Sequence, residues 1–302
     1  MSKVLETVLC GVKMQNPVIA ASGTFGFGSE YAELFDVSKL GGISSKGLTL
    51  DGSLGNDGAR IYETRSGIMN SIGLENPGVR HFVEHEANVM RRFRPCISIA
   101  NLGGHSEYDY VKGAELLNDA DIDMIELNIS CPNVKEGGMA FGMLPETAAL
   151  ITEKVKGITK HPLMVKLSPN AYDLIGVAKA VENAGADAIS LVNTFLGMAI
   201  DTKNKKSVFN NVYAGLSGAA IMPIALRMVH QVCHSVKIPV VGLGGITTAD
   251  DALQFIMAGA CAVQVGTAGF ADPNAMLDVI SGLEDYCEKN KLENISQIRG
   301  IV

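Results

Sequence analysis

Eight short apolar runs, each followed by a polar or glycine-rich turn and then an amphipathic stretch, constrain this chain more than any other feature. The runs are "PVIAAS" (17–22), "GGISSKG" (41–47), "PCISIAN" (95–101), "DMIELNIS" (123–130), "PLMVKLS" (162–168), "DAISLVN" (187–193), "IPVVGLGG" (238–245) and "CAVQVGT" (261–267). Between them lie helical patterns such as "PGVRHFVEHEANVMRRF" (77–93), "PETAALITEKVKGI" (145–158) and "DLIGVAKAVENAGA" (173–186). Strands alternating with helices of this length imply βαβ units and a parallel sheet. Strands that are apolar almost throughout suit a sheet covered on both faces. Two helix-to-strand joints repeat, "ENAGADAISLVN" and "IMAGACAVQVGT", each with a glycine where a left-handed C-cap costs little. About eight such units without a linker in 302 residues fit a single (β/α)8 barrel, the TIM-barrel architecture, spanning 1–302 as one domain. A doubly wound open sheet is the alternative. Its phosphate fingerprint follows the first strand, whereas the glycine-rich turns here cluster at the last two.

Composition narrows the function classes. With 47% hydrophobic and 19% charged residues the chain is that of a globular protein able to bury a sizeable core. A net charge of −7 argues against a nucleic-acid surface, which wants clustered Lys and Arg. One cationic pocket for a small anion is still compatible with it. Cys10, Cys96, Cys131, Cys233, Cys261 and Cys287 are scattered, without CxxC or Cys/His grouping. No zinc ribbon is expected, no metal site is assigned, and cysteine ligation of an iron–sulfur cluster gains no support. The cysteines read as reduced cytosolic thiols. The N-terminus lacks a signal-peptide layout and no window approaches the roughly 20 apolar residues of a membrane span. The expected location is the cytoplasm, without membrane or nucleic-acid partners.

In a barrel of this kind the loops leaving the C-terminal ends of the strands build the active site. Those loops carry "ASGTFGFG" with Ser22, then Lys46-Gly47, then Asn101, then Asn128, Ser130, Cys131 and Asn133. Lys166, Asn193-Thr194, Gly244-Gly245 and Gly266-Thr267 follow at the later strands. "GLGGITTADDA" places Gly244-Gly245 ahead of a helix starting near Thr247 or Thr248, and "GLSGAA" brings Gly218 to the same region. Glycines let backbone N–H groups approach a ligand, and free N–H groups at a helix start favour an anion, so a phosphate cradle is expected here. Ordinary βα turns would use the same residues. Lys166 at the end of an apolar strand is either a Schiff-base lysine or a fixed cation beside an anionic ligand such as a reduced flavin. Asn70, Asn128, Asn133 and Asn193 offer paired donors and acceptors suited to an imide or ureide ring edge or a carboxylate, although asparagine is common in loops for turn reasons. Lys46 adds a positive charge suited to a small carboxylate.

On "NPVIAASGTFGFG" (16–28), "SSKGLT" (44–49), "NSIGLENPG" (70–78), "LNISCPNVKEGG" (127–138), "VKLSPN" (165–170), "LVNT" (191–194), "GLSG" (215–218), "GLGGI" (242–246) and "VQVGT" (263–267), the chain resembles the class 1 dihydroorotate dehydrogenases almost end to end. The resemblance implies an FMN-binding barrel that oxidises dihydroorotate to orotate in pyrimidine biosynthesis. It implies Cys131 as the base that removes the C5 proton, with hydride passing from C6 to flavin N5. Lys46, Asn70, Ile72, Gly73, Leu74, Asn128, Asn133, Asn193 and Thr194 would hold substrate. Ser22, Lys46, Gly47, Asn101, Asn128, Lys166, Val192, Gly218, Gly244, Gly245, Gly266 and Thr267 would line FMN.

The loop "CPNVKEGGMAFG" is similar to class 1B catalytic chains, since class 1A members usually carry a proline-containing sequence there. Class 1B implies a second subunit bearing FAD and a [2Fe–2S] cluster that passes electrons to NAD. It also implies a heterotetramer around a dimer of this chain. A class 1A fumarate-dependent enzyme is an alternative. A class 2 quinone enzyme fits less well, because the barrel is expected to begin almost at residue 1. A dihydropyrimidine dehydrogenase-like barrel, a Lys166 Schiff-base lyase and a non-catalytic barrel subunit are the other readings.

Overall fold

The computed structural model describes residues 3–130 and 141–302. All eight expected strands form, shorter than the apolar runs because their ends peel into loops. They are β1 (Val18–Ala20), β2 (Gly42–Ser44), β3 (Ile97–Leu102), β4 (Met124–Asn128), β5 (Leu163–Lys166), β6 (Ala188–Leu191), β7 (Val240–Leu243) and β8 (Ala262–Val265). Each pairs in parallel with the next and β8 closes onto β1, so no strand of the barrel keeps a free edge.

Strand alternation splits the buried residues into two layers. Ile19, Ile97, Ile99, Met124, Met164, Ala188, Val241 and Ala262 fill the lower barrel interior. The outward residues, among them Ile43, Leu127, Val165 and Ile189, pack against the surrounding helices. A hairpin of Thr7–Leu9 and Val12–Met14, unforeseen in the sequence, inserts Leu9 and Met14 under the interior cluster.

The helices Glu107–Leu117, Pro145–Lys156, Leu174–Asn183, Met222–Cys233, Ala249–Met257 and Ala275–Lys289 cover the barrel. Local sequence sets their starts. Ser106 with Asp109, and Thr248 with Asp251, form reciprocal capping boxes, and Pro145 opens its helix without losing a bond. Gly185 (φ 94°) and Gly259 (φ 114°) occupy the expected left-handed caps. The run 77–93 is less regular than expected: a π-helical stretch, Phe82–Glu86, sits between Val79–His81 and Ala87–Arg91.

A second, antiparallel sheet of Ile61–Thr64, Gly67–Asn70, Phe195–Met198 and Tyr213–Ser217 stands beside the barrel mouth. It is an insertion into the βα loops, and it carries Asn70 on one of its inner strands. Among the described residues no helix is long and apolar enough to cross a membrane.

Candidate active site

The register of the strands brings the expected residues to one end of the barrel. Asn128 lies opposite Lys166, which lies opposite Ser190, while Asn101 lies opposite Glu126. Asn101, Asn128 and Lys166 are all buried. Asn128 Nδ2 donates to Asn101 Oδ1 at 3.3 Å, and Asn128 Oδ1 accepts from Asn193 Nδ2 at 3.4 Å and from the Ser130 hydroxyl at 2.6 Å. Asn193 Nδ2 also donates to Ser130 Oγ, and its Oδ1 accepts from the Thr194 N–H at 2.7 Å. Tyr110 on the helix after β3 donates to the Asn128 carbonyl at 2.9 Å, fixing that strand end from behind. The three asparagines therefore form one chain across β3, β4 and the loop after β6.

Lys166 is 4% exposed; among the described residues its ammonium makes no hydrogen bond or close ion pair, and the charge set against it is that of Glu126. With no hydrogen bond of its own, that ammonium can donate to an acceptor-rich ligand at the rim. Gly47 is held close because a Cβ there would come 3.1 Å from both Asn101 Oδ1 and Leu74 Cδ2. Val192, 2% exposed, packs toward Gly244, where an added Cβ would lie 3.1 Å from its Cγ2.

The glycine-rich turns after β7 and β8 meet as expected. Gly218, Gly245, Gly266 and Thr267 border a cavity of about 190 Å3, together with Ser66 and Gly67 of the antiparallel sheet. Gly245 has φ +78°, and a Cβ there would come 2.7 Å from Met222 Cβ and 2.8 Å from the Gly218 carbonyl oxygen. Only glycine permits that approach. The N–H groups of Gly245, Gly266 and Thr267 donate to no backbone acceptor among the described residues, and the Thr267 hydroxyl donates to Ser217 Oγ at 2.9 Å. The helix starts near Thr248 as expected, but its N–H groups are not free. Asp251 accepts from the N–H groups of Thr247 and Thr248, each at 2.9 Å, so that terminus is already closed by a carboxylate of the chain. The open donors lie on the glycines instead. The phosphate of a group such as FMN fits these open backbone donors.

Lys46, on the loop after β2, is part-exposed, with Glu75 Oε2 3.8 Å from its ammonium. Glu75 is shared with Arg60 at 2.9 Å. The loop bearing Ile72, Gly73 and Leu74 is fixed by Asn76, which accepts from the Thr49 and Gly78 N–H groups and donates to the Leu74 carbonyl at 2.6 Å. That bond accompanies a left-handed Leu74 (φ 53°), a conformation a leucine keeps only when its surroundings hold it. Asn70 reaches the site from the antiparallel sheet and donates to the Gly215 carbonyl at 3.4 Å. Ser22, on the loop after β1, makes no side-chain hydrogen bond among the described residues. Cys131 and Asn133 lie outside the described residues.

Sequence reasoning missed Glu126, fully buried beneath this rim. Its carboxylate accepts from Ser44 Oγ at 2.7 Å, Asn101 Nδ2 at 2.6 Å, Ser190 Oγ at 2.7 Å and Gln264 Nε2 at 2.8 Å. Burial alone would raise its pKa. The charge of Lys166 and the bonds from Ser44, Ser190 and Gln264 outweigh burial and hold it below the ordinary carboxylate value. The available signal was a glutamate in register with Met124 and Asn128 on the inward face of an otherwise apolar strand. A larger cavity, about 360 Å3, opens among Cys10, Lys156, His161 and Asp187, before β5 and β6 and so at the opposite end of the barrel. It is separate from this site.

The family model described as dihydroorotate dehydrogenase matches residues 4–287. A protein of Petrotoga mobilis named dihydroorotate dehydrogenase B (NAD(+)), catalytic subunit, is 53% identical over 97% of this chain and 98% of its own. Proteins with the same name from Brachyspira hyodysenteriae (51% identical, 96% of each chain) and Thermoanaerobacter pseudethanolicus (48% identical, 98% of each chain) are similar along their whole lengths. With the barrel closed as the sequence implied and these matches running almost end to end, this chain belongs to the dihydroorotate dehydrogenase family.

Proposed function

We propose that the chain, folded as one domain, oxidises dihydroorotate to orotate, with FMN in the barrel mouth and NAD as the final electron acceptor. The observation that carries this reading is the glycine-lined cavity where the turns after β7 and β8 meet, with the buried Lys166 and the linked Asn101, Asn128 and Asn193 at strand ends of the same barrel rim. Gly218, Gly244, Gly245, Gly266 and Thr267 would hold the phosphate. Lys166, Asn101, Asn128, Gly47, Val192, Ser22 and Lys46 would surround the ring system. When bound, FMN supplies the hydride-accepting chemistry at N5.

The chain's own residues do the rest. Lys46 takes the substrate carboxylate, exchanging part of its contact with Glu75. Asn70, Asn128, Asn133 and Asn193 meet the amide edges of the ring with donors and acceptors of fixed direction. Ile72, Gly73, Leu74 and Thr194 bound its remaining sides. Cys131 removes the C5 proton. Its assignment is supported by its neighbour Ser130, which is 6% exposed and bonded to Asn128 at the rim. A thiol with an ordinary pKa of about 8.5 is a usable base near neutral pH once a nearby hydrogen bond or charge favours the thiolate.

The relatives' name, catalytic subunit, supports a second subunit, to which we assign FAD and a [2Fe–2S] cluster. Two copies of this chain would form the centre of a heterotetramer in the cytoplasm. The exposed Leu196, Met198, Ile200 and Tyr213 beside the site supply apolar surface for such contacts. The deciding test is the visible spectrum of the purified chain under anaerobic conditions. A flavin band bleached by dihydroorotate, and not by dihydrouracil, is expected; colourless protein, or a band untouched by dihydroorotate, refutes the reading.

A further inference from the structure

We propose that Glu126 is the positioning residue of this site: it orients the asparagine chain and counter-charges Lys166, thereby setting the reduction potential of the bound flavin. The inference rests on the reading of the barrel mouth as an FMN site.

The geometry is specific. Ser44, Glu126, Ser190 and Gln264 come from β2, β4, β6 and β8, the alternate strands that contribute one interior layer of a (β/α)8 barrel. Such a layer is normally filled by branched aliphatic side chains. Here three members donate to the fourth, and Asn101 of the layer above donates to it as well. The result is a carboxylate cradle built from the barrel wall. Replacing a buried ion by apolar packing is often neutral or stabilising, so stability alone does not account for this layer.

An ionised carboxylate only accepts hydrogen bonds. Asn101 must therefore present Nδ2 to Glu126, which turns its Oδ1 toward Asn128 Nδ2. Asn128 Oδ1 then faces the amide of Asn193 and the hydroxyl of Ser130. One negative charge in the floor thus fixes the direction of three neutral amides up to the rim, where the substrate ring is read. The same charge opposes that of Lys166, which acts on Glu126 as the largest favourable charge in its surroundings. Lys166 alone would favour an anionic reduced flavin strongly; Glu126 moderates that preference.

The test is E126Q in the purified, flavin-loaded chain. Gln264 and the two serines can rotate to accept from the new amide, so the layer can be refilled without a cavity. Dye-equilibrated potentiometry should show the oxidised-to-reduced ratio moved at least tenfold toward reduced flavin, about 30 mV positive for a two-electron couple. Orotate, followed by its perturbation of the flavin spectrum, should bind at least tenfold more weakly because the amide chain loses its fixed direction. The swap E126Q/Q264E, which returns one carboxylate to the layer, should bring the potential back toward wild type. Flavin-loaded E126Q with wild-type potential and orotate affinity overturns the inference and leaves the proposed function standing. Wild-type chain that binds no flavin overturns both. Should E126Q not fold, the wild-type reduced-minus-oxidised infrared spectrum decides. A carboxylate band sensitive to 13C-glutamate that shifts on flavin reduction, and persists in E75Q, supports the proposal; its absence overturns it.

Discussion

Asn101 gives its Nδ2 to the Glu126 carboxylate at 2.6 Å while its Oδ1 takes a bond from Asn128 at 3.3 Å. The pair links a charge deep in the barrel to groups at its rim. It also makes the fold sensitive to acid. The Glu126 pKa is lowered on folding from the ordinary 4.5, so its ionisation contributes stability above that pH, and the contribution is lost as pH falls through the folded value. Melting curves should show the wild type losing ground to E126Q as pH drops below 4.5. A difference independent of pH would contradict an ionised Glu126.

Replacement of Cys131 by Ala should leave FMN binding and the oxidised spectrum unchanged. Anaerobic flavin reduction by dihydroorotate should slow by roughly 10²- to 10⁴-fold, the usual contribution of a general base. Stopped-flow absorbance measures both. Unchanged reduction would move the base elsewhere.

Lys166→Met keeps length and apolar volume but removes the charge. A hydrogen bond to a charged group contributes about 1.5–3 kcal/mol, so FMN affinity should fall by roughly 10- to 150-fold. Fluorescence titration of apoprotein with FMN is the measurement. A smaller change would place the cation outside the flavin's reach.

Gly245→Ala adds a Cβ at φ +78°, 2.7 Å from Met222 Cβ and 2.8 Å from the Gly218 carbonyl oxygen. Backbone strain and crowding should together cost about 1–3 kcal/mol, read from denaturant unfolding. FMN binding should weaken as well, because the cradle between the loops after β7 and β8 must widen. Gly23→Ala, also at positive φ but with open space around the new Cβ, serves as the control for strain alone.

Thiol chemistry should single out Cys131. Burial pushes Cys10 and Cys233 up to about 12 and Cys261 to about 11, and raises Cys96 and Cys287 as well. Iodoacetamide at pH about 8 should therefore alkylate Cys131 well ahead of the other five in the native chain, since the thiolate is the reactive form. Mass spectrometry of the digest reports the order. Orotate should protect Cys131.

The barrel was legible because period and punctuation agreed: apolar runs, amphipathic helices and cap glycines repeat along the chain. Gly185 and Gly259 sit where the repeated joints implied, and Thr248 caps the helix that the "GLGGITTADDA" pattern placed there. Two kinds of feature escaped. The antiparallel sheet did, because Ile61–Thr64 is largely exposed and offers no clean alternation of buried and exposed positions. The hairpin Thr7–Leu9 and Val12–Met14 is too short for its pattern to stand out. The polar layer escaped for another reason. Ser44, Glu126, Ser190 and Gln264 are far apart in sequence, and their meeting depends on register around the barrel. Asn101, Asn128, Asn193 and Lys166 were legible as strand-end residues, but their connection to one carboxylate was not.

The hairpin that seats Leu9 and Met14 beneath Ile19, Ile97 and Met164 has a kinetic corollary. It closes the lower end of an interior already filled by side chains, so ligands come and go only at the rim where the strands end. Orotate must vacate before another dihydroorotate can enter, and steady-state assays should accordingly find the product competing directly with the substrate.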